Sequence, residues 1–170
     1  MKTREKTDYG FTVMETVVAI AIGLLILGAI IFSIIGFQNK KTLEKNVGSA
    51  KVLLEQARAQ SVSSKNDLYY GVHLQSDKLV LFSAVSTSSA YNPSATDNVT
   101  LILDSGSVSL DNINLADSGA ELVFLFNKIT GTAAGNNYGS FRLKLLKNTA
   151  STTATSTIIN VSSEGVISQQ

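Results

Sequence analysis

The chain has 170 residues, with 14 Lys and Arg against 13 Asp and Glu, one His and no Cys. That balance makes no bulk electrostatic case for a nucleic-acid or acidic partner, and the lack of thiols excludes disulfides, thiolate metal sites and cysteine redox chemistry. The length suits one apolar helix and one globular domain, and a single Pro among abundant Ser, Thr, Asn and Gly reads as a β-rich exported domain with polar loops.

The chain opens with MKTREKTDYG, short, polar and basic. Lys2, Arg4 and Lys6 favour keeping it cytoplasmic, while Lys40, Lys41 and Lys45 beyond the apolar run pull the other way. Phe11 begins an apolar segment interrupted by Glu15, and no charged side chain follows from Thr16 to Asn39. At ~1.5 Å per residue this is enough helix to cross ~30 Å of hydrocarbon. A secretory signal has a shorter apolar core, about 7–15 residues, followed by a small-residue cleavage site, and neither fits here. A plain anchor has no use for Glu15, since an unpaired acid at mid-membrane costs roughly 2.5–3.5 kcal/mol.

Beyond the apolar run, Leu43, Val47, Ala50, Leu54 and Ala57 step by four and three, one face of an amphipathic helix. The spacing predicts a continuous helix from about Phe11 to about Val62, its second half laid against a sheet. Gly23, Gly28 and Gly36 are its weak points, and any kink must rest on them. Ser61 to Asp67 reads as a connection. Leu68 to Gln75 alternates as a half-buried strand, and Ser76-Asp77 turns it into Leu79–Val85 as a hairpin. A polar loop from Ser86 to Asn98 precedes strands at Val99–Leu103 and Val108–Leu115. ELVFLF, Glu121–Phe126, is apolar on both faces and is expected to be a central strand. A Gly/Asn loop, TGTAAGNNYG, reads as a hairpin into Phe141, Leu143 and Leu145, whose alternate positions give a wet, basic face. TIINVS, a Glu164-Gly165 turn and VIS close the chain.

Gly10 before Phe11, Glu15 four residues later and about twenty apolar residues beyond resemble the class III signal of type IV pilins and pseudopilins. The resemblance implies cleavage by a prepilin peptidase between Gly10 and Phe11, N-methylation of Phe11, and a filament-assembly role for Glu15. The order of elements, with Ala57-Arg58-Ala59-Gln60-Ser61 at the helix end and Val161-Ser162-Ser163-Glu164-Gly165 near the close, is most similar to H-type minor pseudopilins of type II secretion and FimT-like minor pilins. Many pilins close a C-terminal loop with a disulfide; without Cys, this chain needs another device. The implied fold is α+β: a long N-terminal spine helix, transmembrane in its first half, packed on an antiparallel sheet or small β-sandwich.

The expected division is a leader at 1–10, a transmembrane half-helix at 11–39, an amphipathic half-helix at 40–62 and a β-rich domain at 63–170. The resemblance places the N-terminus in the cytoplasm and the globular domain outside. It implies as partners the prepilin peptidase, other pilin subunits, an inner-membrane assembly platform and membrane lipid. The expected function is a structural, non-enzymatic filament subunit, more minor than major, with no cofactor. Two alternatives stand beside it: a DNA-binding minor pilin, and a membrane-anchored extracytoplasmic domain with no filament role.

Other constellations are sparse. His73 is a lone histidine on the outer or edge face of a strand, without the companions a metal site needs. The glycines of TGTAAGNNYG lack the strand-then-helix setting of a phosphate cradle. Asn98-Val99-Thr100 and Asn160-Val161-Ser162 match the glycosylation triplet by chance. Lys128, Arg142, Lys144 and Lys147 form a candidate weak basic patch, with a solvated strand face as the simpler account.

Overall fold

A computed structural model describes residues 12–87, 91–103, 107–116, 123–135, 137–146 and 156–170, without the side chains at 32, 33, 35 and 36. The chain divides into two compact units at Gln38/Asn39. One helix, α1 (Val13–Val62), supplies the described part of the first unit and enters the second. Its segment Val13–Ile31 is long and apolar enough to cross a membrane. No break falls at Gly23, Gly28 or Gly36: the helix runs through all three. It ends where Ser64 turns left-handed at φ 48°, followed by Asn66 and Asp67 at φ 54° and 55° around a short 3₁₀ turn at Lys65–Asp67.

The second unit is α+β. Its described strands are β1 (Tyr69–Leu74), β2 (Lys78–Ala84), β3 (Val99–Ile102), β4 (Val108–Leu115), β5 (Val123–Phe126), β6 (Gly139–Leu145), β7 (Ser156–Val161) and β8 (Ile167–Gln169). They form two four-stranded antiparallel sheets, ordered β3-β2-β1-β5 and β4-β6-β7-β8. Helix α1 and both sheets share one core. The stripe Leu43, Val47, Ala50, Leu54 and Ala57 is buried there, joined by Leu53, and meets Val72 and Phe124 of the first sheet and Phe141 and Ile159 of the second. Each Leu or Val fully buried in that stripe stabilises the fold by roughly 1.5–3 kcal/mol. The Phe124 and Phe141 rings meet across the two sheets at 5.8 Å between centroids.

Three expectations are corrected. First, β5 is apolar throughout but lies at the edge of its sheet. Phe124 and Phe126 enter the main core, while Val123 and Leu125 join a smaller cluster with Phe82, Ala84 and Ala134 on the sheet's other face. Apolar character records the covering of the two faces and says nothing of the hydrogen-bonded edge. That edge is met by the chain just after it: Ala133 bridges Phe126, and the Ala134 N–H donates to the Leu125 carbonyl at 2.8 Å.

Second, the Gly/Asn loop is not a hairpin. It carries the chain from β5 in one sheet to β6 in the other. Third, β1 is not half-buried, because Tyr69 and Tyr91 pack on the cluster that covers its outer side. His73 lies on that side of an internal strand, stacked on Tyr91 at 4.2 Å between ring centroids.

Candidate functional site

At the start of α1, Thr12 is the helix cap. Its hydroxyl accepts the Glu15 N–H at 3.2 Å, and its carbonyl accepts the Thr16 N–H at 3.1 Å. Thr12-Val13-Met14-Glu15 thus has the threonine and acid of a capping box, with the carboxylate in the first turn where the helix dipole favours a negative charge. The Thr-x-x-Glu spacing was readable in the sequence. It gives Glu15 a local role in starting the helix, in addition to the assembly role the resemblance implies. Gly10 and Phe11 lie outside the described residues.

The other end of the helix is tied to both sheets. The Ser61 side chain is fully buried and hydrogen-bonded to the Tyr70 backbone, and its carbonyl accepts the Ile129 N–H at 3.3 Å. One turn earlier, Arg58 Nε donates to the Gly131 carbonyl at 3.1 Å. Gly131 and Gly165 are both left-handed, at φ 66° and 73°, and sit so close that a Cβ on Gly165 would lie 1.9 Å from the Gly131 oxygen. Only glycine fits there. This Arg58–Gly131–Gly165 contact, with the Ala133 N–H bonded to the Ser163 carbonyl at 3.0 Å, holds the C-terminal turn without a disulfide.

Among the described residues, the basic side chains of the expected patch do not gather in one place. Lys128 follows β5, donates to the Asp67 carboxylate at 2.8 Å and to its carbonyl, and lies 4.7 Å from the Tyr69 ring centroid. The Lys128 ammonium beside it, by hydrogen bond and then by charge, holds the Asp67 carboxyl below its ordinary pKa. Arg142 and Lys144 lie on the outer face of β6 in the other sheet, where Lys144 stands 4.0 Å from Asp111. Lys147 lies outside the described residues. Of the two glycosylation triplets, Asn160 is half-buried within β7, between β6 and β8, and Asn98 is half-buried just before β3. Among the described residues no three His, Asp or Glu side chains gather as a metal site would require.

The second sheet also carries a feature that residue order alone did not reveal. Asn114, Ser140, Asn160 and Ser168 stand in register across β4, β6, β7 and β8. They line a shallow groove of about 420 Å³.

Compared with protein-family models, with curated proteins and with solved structures, the chain matches none.

Proposed function

We propose that the chain is a structural subunit, more minor than major, of a type IV pilus-like filament or a type II secretion pseudopilus. The observation that carries this reading is the coincidence of Gly10, Phe11 and Glu15 with an apolar segment that continues as one α-helix into a β-rich domain. A prepilin peptidase removes residues 1–10 on the cytoplasmic side and methylates the new amine of Phe11. The mature chain then spans the inner membrane once, with its globular domain outside, and passes to the assembly platform and sibling subunits.

Glu15 carries the assembly step. A carboxylate in the apolar helix is costly unless paired, and cleavage creates a cationic amine about one helical turn away, ~6 Å along the axis. Pairing with that amine, on the same or a neighbouring subunit, neutralises both as the subunit leaves the lipid. The low dielectric strengthens the attraction and penalises an error in register. The test is incorporation of variants into sheared filaments. Glu15→Ala should insert and be cleaved but be depleted from filaments, whereas Glu15→Asp should retain part of the wild-type level. Wild-type incorporation of Glu15→Ala would remove the pairing role.

A DNA-binding role is less supported, because Lys128 and Lys144 already face carboxylates, and Lys128 follows a strand of one sheet while Arg142 and Lys144 lie on the other.

A further inference from the structure

We infer that the outer face of the second sheet is a binding site for a neutral oligosaccharide, a role independent of how the chain is anchored. The row Asn114, Ser140, Asn160 and Ser168 crosses four strands with each residue directly opposite the next. Paired residues project to the same side, so their amides and hydroxyls stand about 5 Å apart over roughly 15 Å. Tyr138 and Val166 border the groove and give it an aromatic and an aliphatic surface.

The row depends on an irregularity in β4. Val108 and Leu110 face the core before it, and Ile113 and Leu115 pack against the core after it. The extra residue lies where the register shifts between Asp111 and Asn114, with Asn112 left-handed at φ 50°. Without that bulge Asn114 would turn inward, and bulges are favoured where a strand must re-aim a side chain.

The chemistry selects the ligand. Among the described residues no charged side chain lines the groove, which disfavours a phosphate backbone or a carboxylate-rich partner. Carboxamides and hydroxyls offer donors and acceptors together, matching the hydroxyls of a sugar chain, and a tyrosine suits the apolar face of a sugar ring.

The full chain, held in phospholipid nanodiscs that carry no sugar, is titrated calorimetrically with chitotetraose, cellotetraose, maltotetraose and a short DNA duplex. Saturable binding of at least one tetrasaccharide, insensitive to salt, is expected. It should weaken about tenfold in Asn160→Ala, the loss of a hydrogen bond or two. Asn114 and Ser168 are exposed, so Asn114→Ala and Ser168→Ala keep the fold and should weaken binding in the same direction. The inference is overturned if no tetrasaccharide binds, if binding is indifferent to Asn114→Ala and Ser168→Ala, or if only DNA binds.

Discussion

The Ser61 hydroxyl takes both backbone groups of Tyr70: it accepts the Tyr70 N–H at 2.8 Å and donates to the Tyr70 carbonyl at 3.2 Å. A helix side chain thus does for the start of β1 what a neighbouring strand would do. Ser61→Ala leaves a buried donor and acceptor unpaired, at a cost of about 1–3 kcal/mol. The expected outcome is a clear fall in Tm, measured by thermal melting. An unchanged Tm would mean that water or another group replaces the hydroxyl.

The amphipathic half of α1 is core for its own domain, since Leu43, Val47 and Leu54 are all buried within the second unit. The fragment Asn39–Gln170 should therefore fold as a soluble domain. Leu54→Asp in that fragment should abolish cooperative unfolding, because an unpaired buried charge costs several kcal/mol. A folded Leu54→Asp fragment, judged by circular dichroism and amide dispersion, would place the stripe outside the core.

Asp67 sets a pH dependence of defined sign. Its folded carboxyl is held below its ordinary pKa by Lys128, so the pair stabilises the native state above about pH 4. That contribution is lost as pH falls through the folded value. Asp67 is almost wholly exposed, so the effect is modest and screened by salt. At low ionic strength, the Tm of wild type and Asp67→Asn should differ at pH 6 and converge on acidification. Parallel curves would show that the pair contributes nothing to folding.

Much of the fold was legible because its signals are local. The step of four and three from Leu43 to Ala57 identified the buried helix face, and alternation in β6 separated Phe141 and Leu143 from Arg142 and Lys144. What was not legible depends on pairing between distant segments. Nothing in ELVFLF distinguishes an edge strand covered on both faces from a central one. Nothing in TGTAAGNNYG shows that it passes between sheets. Lys128 follows a strand of one sheet and Arg142 lies on a strand of the other, a separation their proximity in sequence conceals. The polar row needed the register of three strand pairs and the bulge before Asn114. The Thr12 cap of the Glu15 turn, by contrast, was local and open to reading.

The central claim is that Gly10 and Phe11 form a processing junction ahead of the apolar helix, and the intact mass of the chain recovered from membranes tests it most directly. The account predicts a chain beginning at Phe11 and carrying one N-terminal methyl group. Gly10→Val should retain the leader, because a side chain there obstructs the cut. A wild-type chain that keeps residues 1–10, or one cut beyond Phe37, would contradict the account.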